Sequence, residues 1–484
     1  MSVKLRLLAC VLCPVLLSAA NTKLAENPEV ASGLRLLEMW IEAQMAYREQ
    51  PGLSIGIVYD QDLVWAKGYG YADVAKSLPA TPQTIYRMAS NTKMFTAVAI
   101  MQLRDAGKLQ LDDPITRHLP WFKIQGVAAD TPPITIRHLL THTAGLPREA
   151  AAPYWTDFRF PTTDEIRRTV PTQNVAFPAE TRFKYSNLGL ALAGEIVEAA
   201  SGVPYARYIQ QNILDPLGMT SSSIELPESQ KTRVATGYGR RMPGQKREVM
   251  PFTDCKGINP AANLSSTVED FARFCSLQFR DGKAGGNQVL RSSTLREMHR
   301  VHWMEPDWRS GRGLGFGVWR SGDRTFIGHG GSLAGYRTQT SIVPSEKIAV
   351  IVMTNSDDGE PTSYVDQVFR LVAPAIKKAV TPEKKPAVPD PSWTRFTGRY
   401  RSSWGDVEVL IVNGELVMVS PTANDLQEAM SRLVPAGDAI FRVESRSGGG
   451  PVGELVSFES GPDGKVARVK AGENYFRRLP ENKW

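Results

Sequence analysis

The sequence predicts an α+β fold followed by a small all-β domain, and three observations carry the prediction. Between residues 33 and 378, segments with apolar residues at helical spacing are interleaved with runs of strand formers. Strand-like runs then gather between 314 and 354. Beyond a proline-rich stretch at 381–391, only short strands recur, broken by Gly, Asp and Asn. A chain of 484 residues has room for two or three domains with full cores.

The N-terminus reads as an export signal over residues 1–20. Lys4 and Arg6 precede an apolar run from 7 to 17, and Ser18-Ala19-Ala20 offers a small-residue cleavage site. The run is too short to span a bilayer, so the mature chain is expected to be periplasmic or secreted, with no membrane span. Removing Lys4 and Arg6 reduces the formal charge of +7 to about +5, by the same count. No Lys/Arg stripe with interleaved aromatics is present, so no nucleic-acid partner is expected. Cys255 and Cys275 remain after cleavage, and a disulfide between them or two buried free thiols are both open.

Along the mature chain, expected to run as one domain from 21 to 380, residues 33–48 form a first helix ended by Pro51-Gly52. Strands at 53–59 and 63–69 follow, joined by Asp60-Gln61-Asp62. Met88-Ala89-Ser90-Asn91-Thr92-Lys93 then opens a helix with apolar residues on a helical period. A serine there is commonly a cap for a free backbone N–H. Lys93 adds a second reading, because residues i and i+3 share a helix face and the amine can reach the hydroxyl.

Residues 134–147 read as a short helix closed by Gly145 and Pro147. His138 and His142 stand at i and i+4, but a zinc motif wants Glu after the first His and position 139 is Leu. These are taken as structural histidines, as are His299 and His302, and neither metal nor cofactor is expected. Phe183-Lys184-Tyr185-Ser186-Asn187 leads into another helix. A loop-rich stretch over 226–263 is expected over or beside a cleft. Residues 266–279 are helical, with a capping pattern from Ser266 to Glu269.

Strands are expected at 314–319, 325–329, 336–343 and 348–354, with Gly328 to Gly335 interrupting them. The Gly330-Gly331 pair lets backbone approach a ligand, or serves a hairpin turn with a solvent-facing His329. A helix over 363–378 closes the domain. A linker at 381–392 leads to a small β-barrel-like domain over 393–484, with strands at 396–401, 407–412, 415–420, 428–434, 440–443, 454–459 and 466–470. No catalytic constellation is found in it.

Ser90-x-x-Lys93, Tyr185-x-Asn187 and His329-Gly330-Gly331, in that order, resemble the three motifs of the serine β-lactamase and penicillin-binding protein superfamily. The match is closest to its class C-like branch, which holds D-aminopeptidases and esterases as well as β-lactamases, and Leu139 to Leu146 is similar to that branch. The resemblance covers about residues 30 to 378. It implies an α/β sandwich: a five-stranded antiparallel sheet flanked by helices, plus a helical subdomain with the site between. Ser90 would be the acylated nucleophile and Lys93 its base. Tyr185 would shuttle protons, eased by nearby cations, and Asn187 would orient substrate and Lys93. Backbone N–H groups of Ser90 and Ser332 would form an oxyanion hole, each donor worth on the order of 10²–10³ in rate.

One departure stands out. The family's third motif commonly reads Lys-Thr/Ser-Gly, whose cation and hydroxyl hold a substrate carboxylate, whereas here His329 and Gly330 occupy those positions. An ordinary His is mostly neutral at pH 7. Weak β-lactam recognition is therefore expected unless Arg337 on the next strand substitutes, and esters or D-amino-acid amides and peptides rank first as substrates. A Gly-x-Ser-x-Gly elbow at Gly330–Ala334 fails, because Ala334 fills the last glycine and no His follows Ser332. The alternative from another class is a non-catalytic or slow-turnover receptor for peptidoglycan or β-lactams.

Overall fold

The computed structural model describes residues 22–151, 154–281, 287–381, 390–445 and 450–480. The export signal expected over 1–20 and most of the expected linker lie outside them. The chain divides between Val380 and Thr381 into two compact units.

The first unit is built on a nine-stranded sheet. Its strands in chain order are β1 (Gly52–Tyr59), β2 (Asp62–Asp73), β3 (Leu78–Pro79), β4 (Trp303–Met304), β5 (Ser310–Arg312), β6 (Gly317–Ser321), β7 (Arg324–Leu333), β8 (Tyr336–Val343) and β9 (Ile348–Thr354). Their order across the sheet is β3-β2-β1-β9-β8-β7-β6-β5-β4, and the ladders are antiparallel. The interior strand β9 is apolar from Ile348 to Met353 because both its faces are buried. Ile348, Val350 and Val352 meet one core, and Ala349, Ile351 and Met353 meet the other.

The first core holds helices α1 (Pro28–Arg48), α6 (Pro361–Leu371) and α7 (Ala373–Val380) against one face. The single helix expected over 363–378 breaks at Val372, since Pro374 cannot supply the N–H that a continuous helix needs. The second core holds α2 (Thr92–Asp105), α3 (Ile136–Thr141), α4 (Asn187–Ser201) and α5 (Val268–Leu277). Gly56 lets α5 approach β1, because a Cβ there would lie 2.4 Å from Val268 Cγ1.

Three expectations need correction. The sheet has nine strands, not five: the β4–β5 ribbon is rich in Gly, Ser and Arg and lacks the alternation that marks a strand, and β3 is two residues long. The glycine-rich segment does not interrupt a strand, since β7 stays in register with β8 from Ile327 to Leu333 and turns only at Ala334-Gly335, where Gly335 has φ +79°. The helix expected over 134–147 is only α3, ended by His142 in the left-handed region at φ +59°. Cys255 and Cys275 are both buried free thiols.

The second unit is a closed barrel of eight antiparallel strands. Phe396, Tyr400, Phe441 and Phe458 pack in its core through edge and tilted ring contacts.

Candidate active site

Ser90 sits in a single tight turn, Ala89–Asn91, that runs directly into α2. Its hydroxyl caps nothing. Ala89 just before it has φ +49°, an unfavourable conformation for a residue with a Cβ, and the surroundings hold it there. Thr92 Oγ1 donates to the Ala89 carbonyl at 2.6 Å and accepts from Leu264 N at 3.0 Å. From the sheet, Thr338 Oγ1 donates to the Met88 carbonyl at 3.1 Å and accepts from Asn91 Nδ2 at 2.9 Å. Gly331 makes this seam possible: a Cβ there would fall 2.3 Å from the Met88 carbonyl oxygen. The close approach expected of the glycine pair is thus to the turn carrying Ser90.

Lys93, the second residue of α2 and one turn on from Ser90, is fully buried with no paired carboxylate among the described residues. Its Nζ lies 3.1 Å from Ser90 Oγ, 2.8 Å from Asn187 Oδ1 and 2.8 Å from the Ala261 carbonyl oxygen. Burial pushes its pKa below the usual lysine range, opposed in part by Tyr185 and Glu149. A neutral amine has two N–H groups and one lone pair. Asn187 Oδ1 and the Ala261 carbonyl take the two hydrogens, which leaves the lone pair facing the Ser90 hydroxyl.

Tyr185 donates to Ser90 Oγ at 2.9 Å from the other side. Its ring is stacked on His142 with centroids 4.4 Å apart, and Lys93 Nζ and Arg148 Cζ lie 4.9 and 5.0 Å from its centroid. His142 accepts from Ser186 N through Nδ1 at 3.2 Å, and burial first, then Lys93, hold its pKa well below the usual range. It is a neutral support for Tyr185, so its place at the site goes beyond the structural role expected. His138 is structural: it closes a capping box with Thr135 at the start of α3.

Asn187 opens α4 behind the N-cap Ser186, whose side chain accepts from Gly189 N. Its Nδ2 donates to Glu149 Oε1 at 2.6 Å. Glu149 is mostly buried, also accepts from Trp155 Nε1 at 3.3 Å, and keeps Oε2 without a hydrogen-bond partner among the described residues. Burial raises its pKa above the usual carboxylate range.

His329 on β7 turns its Nδ1–H to the Gly330 carbonyl oxygen at 2.6 Å. Its pKa is pushed down to about 3, by burial first and then by the basic neighbours Lys93 and Arg312, so the ring is neutral. Ser332 pairs with Arg337 across the β7–β8 ladder, and Arg337 Nε donates to the Asp357 carbonyl at 2.9 Å.

The eight residues singled out from the sequence thus meet. Ser90, Tyr185, Asn187, His329, Gly331, Ser332 and Arg337 line one cavity of about 680 Å³, with Lys93 beneath it. From the loop-rich stretch, Ala261 holds Lys93 and Ala262 borders the cavity. A second cavity of about 650 Å³ adjoins the first through Tyr185, His329 and Gly330. Sequence reasoning missed Glu149, Arg148 and Arg312. The signal for Glu149 was a charged pair directly after the Gly145-Leu-Pro147 helix stop; Arg312 gave none. Among the described residues no group of three His, Cys, Asp or Glu side chains could hold a metal ion.

Beta-lactamase-like protein 2 of Dictyostelium discoideum is 25% identical over 474 residues, covering 92% of this chain and 85% of its own. Protein flp of Staphylococcus aureus (strain N315) is 27% identical over 320 residues, and the match spans 65% of this chain but only 61% of that protein. Among solved structures, the octameric penicillin-binding protein homologue from Pyrococcus abyssi superposes with a TM-score of 0.60 at 29% identity, covering 92% of this chain and 99% of that one. SurE superposes with a TM-score of 0.60 at 24% identity, covering 94% and 100%, a likeness of fold. The family model described as Beta-lactamase matches residues 37–373, and the chain belongs to that family.

Proposed function

We propose that this member of a serine hydrolase superfamily is an exported enzyme. Its substrates are esters or amides and peptides, D-amino-acid derivatives among them, in preference to β-lactams, and it acts through an acyl-enzyme on Ser90. The observation that supports this best is the placing of Ser90 Oγ between Lys93 Nζ and Tyr185 OH. Lys93, whose pKa burial lowers, takes the Ser90 proton in its neutral form as Oγ attacks the carbonyl carbon. Tyr185, in reach of the same oxygen, passes a proton to the departing group. The N–H groups of Ser90 and Ser332 receive the developing oxyanion.

The preference against β-lactams rests on His329 and Gly330. A neutral imidazole and a residue without a hydroxyl leave a β-lactam carboxylate without its usual partners; Arg337, tethered through Nε, and Arg148 are the cations that line the cavity. The test is a substrate panel on the wild type and Ser90→Ala: para-nitrophenyl esters, D-amino-acid amides, D-Ala-D-Ala peptides and nitrocefin. Ester or D-amide turnover lost in Ser90→Ala is expected. Nitrocefin hydrolysis much faster than ester hydrolysis reverses the ranking, and a stable Ser90 adduct without product release returns the protein to the receptor class.

A further inference from the structure

The second cavity contains a cation that neither the motifs nor the mechanism above uses. Arg312 stands on β5 opposite Gly317, and Gly317 stands opposite Gly328 on β7. With two glycines in that row, no side chain blocks the guanidinium from crossing the strand next to it. A Cβ on Gly317 would lie 3.6 Å from Arg312 Nη1, in ordinary contact, so the fork lies directly against the glycine. It ends with Cζ 3.8 Å from the centroid of the Phe183 ring, two residues from Tyr185.

The charge of Arg312 is poorly answered. Its nearest carboxylate oxygen, Glu305 Oε1, is 3.7 Å from Nε, beyond hydrogen-bond reach. Both atoms are buried without a hydrogen-bond partner among the described residues. Burial lowers the Arg312 pKa and Glu305 opposes the shift only in part, which fits a half-buried cation loosely paired at 3.7 Å. Leaving a buried donor unpaired is costly, and a guanidinium is the side chain best shaped to accept a carboxylate through two parallel bonds.

Phe183, Phe316 and Trp319 line the same cavity, and its remaining charges, Arg320 and Asp366, are opposite in sign. Arg312 faces this side cavity; Ser332 and Arg337 belong to the one over Ser90.

We propose that the side cavity is a subsite for an anionic substituent of the substrate, a carboxylate carried on a flexible apolar or aromatic arm, with Arg312 as its binding residue. This rests on the Ser90 acyl-enzyme reading and adds a substrate class to it: esters or amides that also bear a free acid. The rigid ring of a β-lactam holds its carboxylate beside the attacked carbonyl, whereas a flexible arm reaches past His329.

The experiment compares kcat/KM within two matched pairs. Mono-para-nitrophenyl glutarate against para-nitrophenyl valerate places the charge on the acyl side. Para-carboxyphenyl butyrate against phenyl butyrate places it on the leaving side. In at least one pair the wild type is expected to prefer the acid by about tenfold or more, the scale of a charge-assisted contact. Arg312→Met removes that preference and Arg312→Lys keeps part of it; because the readout is a ratio, a general loss of activity does not imitate the result. No preference for the acid in either pair, or a preference lost in Arg337→Met and kept in Arg312→Met, overturns the assignment.

Fluorophosphonate labelling of Ser90 separates the two readings. No labelling, with no turnover of any ester, sinks the acyl-enzyme itself; labelling without discrimination between acid and neutral ester removes the anion subsite alone. Protection of wild-type Ser90 by glutarate but not by its diethyl ester reads the subsite without any substitution, and equal protection by both counts against it.

Discussion

Replacing Glu149 by Gln tests the wiring of the base. As a carboxylate Glu149 can only accept, and its 2.6 Å bond from Asn187 Nδ2 then fixes which way that amide faces. Asn187 Oδ1 is then the group presented to Lys93, at 2.8 Å. A glutamine at 149 can also donate, so the Asn187 amide is free to turn over and present N–H to Lys93. That N–H would compete with the Ser90 hydroxyl for the amine lone pair. A lost hydrogen bond to a charged group is worth about 1.5–3 kcal/mol. At about 1.36 kcal/mol per factor of ten, kcat is expected to fall about ten- to hundredfold.

The same substitution carries a second signature. The Glu149 charge raises the Lys93 pKa, so removing it lowers that pKa further. Lys93 works as the neutral amine, and activity rises as pH passes its pKa. The acid limb of the kcat/KM profile should therefore move to lower pH in Glu149→Gln. The assay is ester hydrolysis across the acid and neutral range, with thermal unfolding of both proteins as the check on folding. A folded Glu149→Gln with wild-type kcat and an unmoved acid limb refutes the reasoning.

Other expectations follow from the same geometry. Gly331→Ala places a Cβ against the Met88 carbonyl and Thr338 Oγ1, so the Ser90 turn must shift; a destabilisation of about 1–3 kcal/mol in urea unfolding, with loss of most activity, is expected. Wild-type values in both assays would show that the seam gives way harmlessly. His329, with a folded pKa near 3, should show no imidazole titration by NMR between about pH 5 and 9, around the ordinary value near ~6.5. Because the unfolded chain binds that proton more readily, His329 costs no stability above the unfolded pKa and destabilises the fold progressively as pH falls through it toward 3; a titration midpoint near the ordinary value would contradict the depression. Burial pushes the Cys255 thiol up to about 11 and leaves Cys275 equally inert, so iodoacetamide should modify both only after unfolding. Modification of either in the native protein, or a disulfide linking them, would be the contrary result.

Much of the site was legible because its polar groups come as short local patterns. Ser90 and Lys93 share one helical turn, and Tyr185 and Asn187 straddle a helix cap, so each motif fixes the relative placing of its own residues. The apolar run at 348–354 likewise announced a strand, and the structure buries it on both sides. Roles that depend on long-range packing left weaker traces. His142 looked like half of an unsupported metal pair because nothing local says that it will stack on a ring 43 positions later. Arg312 lies in a Ser-Gly-Arg-Gly stretch whose meaning depends on Gly317 and Gly328 across two ladders. The glycine pair at 330–331 was read as a break because glycine weakens an isolated strand; here it continues one, since the nucleophile's turn needs the space.

The extra strands also bear on how this sheet behaves in a crowded solution. A central sheet ending at β1 or β6 would present a long row of unpaired amides and carbonyls, the template on which chains join edge to edge. Here one margin is the two-residue β3, half of it Pro79, and the other is the two-residue β4. Neither is long enough to recruit a strand from a neighbour, and the barrel of the second unit, closed on itself, has no margin at all. The outline of the sheet thus adds a guard against edge-to-edge association to whatever the net charge of +7 supplies.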